Sequence, residues 1–201
     1  MKKIFKVLSI SCLSLLIGMM MIVPASAEER LFISENNIQD LDQFVTVENN
    51  QFILKIPEYV IIDDNLRQET IERVAHVNQD IINNRGIIDV VDKRITYEGS
   101  RVKRSWDHQT DMFWWGGRHI FRTNSSANSY AHSLETRAIG VGMIGAGASL
   151  LGFPLGGAFG TVSGAYLRKI ASDVRYQKTK YRKIELNVTW ALVYRVIEWN
   201  D

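Results

Sequence analysis

The stretch 138-AIGVGMIGAGASLLGFPLGGAFGTVSGAY-166 runs for 29 residues without a charge and holds nine of the chain's 14 glycines. Gly152, Gly156, Gly160 and Gly164 recur every four residues after the break Gly152-Phe153-Pro154, and Ala138, Gly142 and Ala146 do so before it. On a helix, residues four apart share a face, so each arm carries a bare groove, in the manner of a glycine zipper. Glycine in a helix costs about 1 kcal/mol against alanine, so eight within the arms cost on the order of 8 kcal/mol. That rivals the stability of a whole domain. Close backbone approach between helices is the physical return. The pattern predicts an antiparallel helical hairpin over about Ser126–Leu151 and Pro154–Asp173, with Gly142, Gly152, Gly156, Gly160 and Gly164 as its packing residues and Phe153 at its tip. As one helix the run would reach about 43 Å, more than a hydrocarbon core, whereas each broken arm is short for a span. Two readings stay open: a hairpin buried in a soluble fold, and one buried in water yet able to enter a bilayer.

Upstream, Lys2, Lys3 and Lys6 precede an uncharged, mostly apolar run from Val7 to Val23, then Pro24 and Ala25-Ser26-Ala27. These are the three parts of an export signal cleaved after Ala27 by signal peptidase; the alternative is an uncleaved anchor. Cys12 lies too early in the apolar run for a lipoprotein site. Cleavage leaves residues 28–201 as a single domain with no cysteine, suited to an oxidising exterior and incompatible with a disulfide framework or a CxxC site.

Cleavage also leaves 21 basic against 22 acidic residues, a bulk charge that argues against a general nucleic-acid binder. The charge is polarised. Residues 28–92 carry 14 acidic and 5 basic side chains, and residues 93–201 carry 16 basic and 8 acidic. Arg168, Lys169, Arg175, Lys178, Lys180, Arg182 and Lys183 are interrupted, among charged residues, by Asp173 alone. Either the two halves neutralise each other or the basic half meets an anionic surface.

The rest alternates strands and helices. Phe44–Glu48 and Gln51–Ile56 are β-prone runs joined by Asn49-Asn50, which tolerate positive φ, a hairpin signal. Asp63 or Asp64 caps a helix with the apolar stripe Ile71, Val74, Ala75, Ile81 and Ile82, stopping near Gly86. Asn78 on that stripe reads as a satisfied core amide. Ile87–Tyr97 reads as one strand. Ile184 to Val196 alternates apolar and polar residues at a period of two and predicts another. Arg101–Arg104 is an exposed linker or a nicking site.

Phe113-Trp114-Trp115-Gly116-Gly117-Arg118 admits three readings: an interfacial aromatic cluster, a sugar-stacking surface, or a packed core strand with a Gly-Gly bend. Trp114, Trp115, Phe153, Arg168 and Lys169 are therefore candidate membrane contacts. His108, beside Asp107 and near Asp111 and His119, matches no standard ligand or catalytic spacing, and the group reads as polar side chains exposed at the surface. His132 falls on the first hairpin arm. Asn124-Ser125-Ser126 reads as a helix N-cap. There is no G-x-S-x-G, HExxH, P-loop or dinucleotide fingerprint, so no enzyme, cofactor or metal is expected.

Val47-Glu48-Asn49-Asn50-Gln51-Phe52, the helix ending near Ile81-Ile82-Asn83, and Trp114-Trp115-Gly116-Gly117-Arg118 ahead of a glycine-rich hairpin together resemble small exported proteins of bacilli. The hairpin alone is similar in kind to that of pore-forming colicin domains and to glycine-rich bacteriocin segments. These likenesses imply secretion and no catalytic residue. The expectation is an α+β fold: an antiparallel sheet holding the Val47 hairpin, the Ile87 strand and the C-terminal strand, one amphipathic helix, and the glycine-rich hairpin. The expected function is a secreted, membrane-active, bacteriocin-like protein whose partner is an anionic lipid bilayer. The alternative is a secreted binding or envelope-associated protein with a purely structural hairpin. Nothing in the sequence identifies an immunity protein.

Overall fold

Strand β1 (Leu31–Ile33) pairs in parallel with β4 (Val60–Ile62), and between them lie a 3-10 run, Glu35–Phe44, and the antiparallel ribbon β2 (Val45–Glu48) and β3 (Gln51–Leu54). The computed structural model describes residues 31–97, 106–139, 149–152 and 162–200. Asn49 and Asn50 turn the ribbon with φ of 51° and 58°, as their short polar side chains allow. The ribbon is separate from the main sheet, contrary to expectation. Its tie to the neighbouring elements is made by two amides. Asn50 donates to the Gly86 carbonyl at 2.9 Å and accepts from the Ile88 N–H at 2.8 Å. Asn78 does the same to both backbone groups of Phe52, at 2.9 and 2.8 Å. Asn78 is thus the satisfied amide that its position suggested.

Helix α1 (Asp64–Asn83) starts where Asp63 Oδ1 accepts from the N–H groups of Asn65 and Leu66, at 2.9 and 3.3 Å. Its buried face is Leu66, Thr70, Arg73, Val74, Val77, Asp80 and Ile81. Ile71, Ala75 and Ile82 of the expected stripe point to solvent instead. The core side was hidden by Thr70, Arg73 and Asp80, polar residues that sequence assigns to the surface. Asp80 accepts from Tyr97 at 2.6 Å and from Asn84 at 2.8 Å. The left-handed residue after the helix is Arg85, φ 52°, and Gly86 opens the next strand.

The main sheet is antiparallel and six-stranded: β5 (Gly86–Ile88), β6 (Ile95–Tyr97), β7 (His108–Phe113), β8 (Gly116–Phe121), β9 (Ile184–Thr189) and β10 (Tyr194–Glu198), in the order β10-β9-β8-β7-β6-β5. Each of the two strands expected on either side of it is a hairpin. Ile87–Tyr97 folds back at Asp89, whose Oδ1 accepts from Val91 and Asp92, with Lys93 at φ 56°. The alternating C-terminal run breaks at Trp190–Val193, with Leu192 at φ 59°. Its polar members Glu185, Asn187 and Thr189 are buried along with Ile184, Leu186 and Val188, so β9 is covered on both faces.

Helices α2 (Asn124–Ile139) and α3 (Gly164–Lys180) lie between β8 and β9 in sequence and pack together on one face of the sheet. Ala127, Ala131, Leu134 and Ala138 of α2 meet Leu167, Ile170, Ala171 and Val174 of α3 over Phe121, Ile184, Leu186 and Val188. A second cluster joins α1, the ribbon and the β5–β6 end of the sheet.

Candidate functional site

The helix layer is built by capping and by small residues. Thr123 Oγ1, one residue ahead of the expected cap, accepts from the Ser126 N–H at 3.1 Å. Ser163 Oγ accepts from Tyr166 at 3.2 Å and starts α3. Lys178 folds back onto the Tyr181 and Arg182 carbonyls beyond the helix end. Within the described residues the close approach of α2 to α3 is made by alanines, which keep helix propensity while removing bulk.

The outward side of α3 is a regular stripe. Arg168, Ser172, Tyr176 and Lys180 follow at intervals of four and all are exposed, Tyr176 to 55%. Lys180 Nζ sits 4.2 Å from the centre of the Tyr176 ring. Both acidic residues of the two helices are spoken for. Glu135 pairs with Arg175, whose hydrogen bond holds the carboxyl below its ordinary range. Asp173 would be raised by burial, but hydrogen bonds from Lys169 and Tyr194 outweigh that and lower it. Exposed Arg137, Arg168, Lys180 and Arg182 have no ion-pair partner among the described residues. The surface is therefore cationic, with one aromatic ring set among the charges. It borders the uncharged run, whose second residue, Ile139, is 82% exposed.

Beneath the helices the same run touches the sheet. Ser149–Leu151 form a short 3-10 turn, and Gly152 follows at φ 76°. Gly117 lies directly under it: a Cβ there would fall 2.2 Å from the Leu151 carbonyl oxygen. Tyr130 of α2 donates to the Leu150 carbonyl at 3.0 Å. A Cβ on Gly152 would stand 3.3 Å from His119 Nε2. His119 is 2% exposed, and its Nδ1 lies 3.1 Å from Thr110 Oγ1 and 3.2 Å from His108 Nε2. The two imidazoles stack with Phe121 and contact Tyr130. Burial, and then the neighbouring His108, pushes His119 down to about 3, and burial lowers His108 as well. The expectation of surface histidines is overturned: they are cross-strand neighbours on the covered face of β7 and β8.

The opposite sheet face carries a polar row. Asp111, buried, accepts from Arg118 at 2.8 and 3.2 Å and from Gln109 at 2.9 and 3.1 Å. The Arg118 guanidinium lies 5.1 Å from the centre of the Phe113 ring and 5.7 Å from that of Trp199. Farther along, Gln39, Asn187, Thr189, Val193, Tyr194 and Arg195 line a cleft of about 210 Å³. Among the described residues, no group of three metal-ligating side chains occurs, and no helix is long and apolar enough to cross a membrane.

Of the residues singled out in sequence, Gly142, Gly156, Gly160 and Phe153 lie outside the described residues, as does Arg101–Arg104. Gly152 is not a helix-packing residue; it is a left-handed turn residue seated on β8. Gly164 is the first residue of α3, and the stretch 149–152 is a turn, so no first arm runs helically to Leu151. Trp114 and Trp115 form the turn between β7 and β8 and are buried, Trp114 donating to Asp42 Oδ1 at 2.6 Å. They are core residues in this structure. Arg168 and Lys169 are exposed, as a contact role needs. The sequence reading has Gly117 only as half of a Gly-Gly bend and does not single out Tyr176, for which the four-residue spacing from Arg168 through Tyr176 to Lys180 carries the signal. No protein family, curated protein or solved structure matches the chain.

Proposed function

We propose that this is an exported, membrane-active, bacteriocin-like protein that docks on anionic bilayers through α3 and acts through the adjoining glycine-rich run. The observation that carries this reading is the stripe Arg168–Ser172–Tyr176–Lys180, cationic and aromatic, on the helix that the uncharged run leads into. Lysine and arginine near an anionic leaflet contribute about 1 kcal/mol each. The two cations of the stripe with exposed Arg137 and Arg182 give about 4 kcal/mol, an affinity near millimolar, too weak to hold a protein alone. A second, apolar contribution is required, and residues 140–163, free of charge, are its natural source. Export follows from the lysine-led apolar segment and Ala25-Ser26-Ala27, with signal peptidase as the processing partner and the extracellular space as the destination. No catalytic residue, cofactor or metal enters this reading.

The test is dye release from vesicles by the purified protein beginning at Glu28. Leakage from anionic vesicles, suppressed by salt and absent from zwitterionic ones, is the expected result. Neither binding nor leakage with anionic vesicles would overturn it. A second reading, an exported or envelope-associated binding protein with a structural helix layer, is favoured by the cleft beside Arg195. That guanidinium has no ion-pair partner among the described residues, and neither has the buried Asn187 Oδ1 a hydrogen-bond donor. Loss of wall or surface binding on Arg195→Ala, with vesicle leakage absent in the parent, would select it.

A further inference from the structure

On the sheet face turned away from α2 and α3, four polar residues stand in cross-strand register. Arg195 of β10 faces Asn187 of β9, Asn187 faces Arg118 of β8, and Arg118 faces Asp111 of β7. The inner guanidinium is neutralised, since Arg118 donates to Asp111 through both Nε and Nη2. The outer one is not: Arg195, exposed on the edge strand, has no carboxylate partner among the described residues.

Asn187, between the two cations, is 8% exposed, and its amide is half used. Its Nδ2 donates to Glu185, two residues back along the same face, which turns Oδ1 toward the Thr189 end of β9; that oxygen has no donor. The cleft of about 210 Å³ opens at this end, lined by Asn187, Thr189, Arg195 and, from the 3-10 run, Gln39. Thr189 Oγ1 donates to the Val193 carbonyl at 3.1 Å and keeps its lone pairs. The Gln39 amide has no partner among the described residues.

We propose that this cleft binds a small hydroxylated carboxylate, a sugar acid of one ring, with the carboxylate on Arg195 and hydroxyls donating to Asn187 and Thr189. The inference rests on the cleft that carries the second reading, and it stands whether or not the protein acts on bilayers.

The chemistry follows from what is left unpaired. A buried carbonyl oxygen without a donor is destabilising, and the two donors lining the same cleft, Gln39 and Arg195, make no bond to it. The space between these groups therefore calls for a ligand that supplies a donor on one side and accepts on the other. A guanidinium takes a carboxylate in two parallel hydrogen bonds. One guanidinium, with no lysine among the lining residues and the Glu185 carboxylate close by, matches a single negative charge rather than a doubly charged phosphate. The volume lies below the roughly 300 Å³ at which pockets for larger ligands begin, so one small unit is held.

Titration of the purified, nitrogen-15-labelled protein with D-glucuronate, D-glucose and acetate, at constant pH and ionic strength, tests this by NMR. Glucuronate should move the side-chain amides of Asn187 and Gln39 and the Arg195 Nε–H together, with half-saturation at about 1 mM. Glucose and acetate, each carrying half of the required groups, should bind about tenfold more weakly. Arg195→Gln, at an exposed position, should weaken glucuronate about tenfold and leave glucose unchanged. A hyaluronan tetrasaccharide separates the two sources of such an acid: binding tighter than glucuronate marks a residue within a polymer, and weaker binding marks the free acid. No saturable shift with glucuronate overturns the proposal. So does acetate binding as tightly as glucuronate, or a glucuronate affinity indifferent to Arg195→Gln. Wall binding that is lost in Arg195→Ala, in a protein blind to glucuronate, keeps the second reading and rejects this ligand.

Discussion

Gly117 and Leu151 meet backbone to backbone: a β-carbon on Gly117 would lie 2.2 Å from the Leu151 carbonyl oxygen and 2.8 Å from the Gly152 α-carbon. No rotamer change relieves such a contact, because the opposing atoms are main chain. Gly117→Ala should cost roughly 3 kcal/mol, at the upper end of overpacking, read as a lowered urea midpoint. Gly152→Ala adds left-handed strain to a looser contact of 3.2 Å and should cost less, about 1–2 kcal/mol.

The amide of Asn78 satisfies both backbone groups of Phe52, and that of Asn50 does so across Gly86 and Ile88. Each truncation to alanine leaves a backbone donor and acceptor without partners, at roughly 1–3 kcal/mol. Ile71→Ser, on the exposed side of α1, should stay within about 0.5 kcal/mol. Thermal melts of the three variants check the contrast. An Asn78 variant as stable as the Ile71 variant would refute the clamp.

Trp114 bonds to Asp42, which also accepts from Lys93. Trp114→Phe should lose about 1 kcal/mol or more and leave vesicle leakage per folded molecule unchanged, because this ring is core. Leakage abolished in a folded Trp114 variant would return the ring to the membrane contacts.

Arg168→Gln, Lys180→Gln and Arg182→Gln together remove about 3 kcal/mol of attraction to an anionic leaflet, a loss of about 100-fold in vesicle affinity at low salt. Stability should change little, since these side chains are exposed. Unchanged vesicle affinity would exclude α3 as the docking surface.

Phe153→Asp probes the apolar partner of that surface. Carrying an ionised carboxylate into hydrocarbon costs several kcal/mol, so leakage should vanish while anionic vesicles are still bound. Undiminished leakage would exclude insertion through this residue.

Where a residue's own chemistry fixes the backbone, sequence was enough. Asn49-Asn50 and Asp63 turn and cap by local hydrogen bonding, and the ribbon and α1 start where they indicate. The two missed hairpins turn on Lys93 and Leu192, left-handed residues of types that rarely adopt that conformation. A four-residue turn also preserves the parity of alternation, so Ile184–Val196 looks unbroken. The histidine pair required the β7–β8 register, which sets His108 beside Phe121 and brings its ring to His119. The glycine spacing led to helix against helix, whereas the close backbone contact seen is between a turn and a strand at Gly117. Nothing in the spacing of Gly152 distinguishes the two.

Strands β8 and β9 are neighbours in the sheet, yet residues 122–183 separate them in the chain. The β5–β8 meander and the β9–β10 hairpin can each zip through local contacts, but the seam from Phe121–Ile184 to Gly116–Thr189 closes only after the whole insertion has been brought round. Ring closure grows with the logarithm of loop length, so the seam is slow to find rather than costly to keep. Until it forms, β8 and β9 both expose unpaired edges rich in apolar side chains. Refolding yield should therefore fall with protein concentration even where the finished molecule is stable.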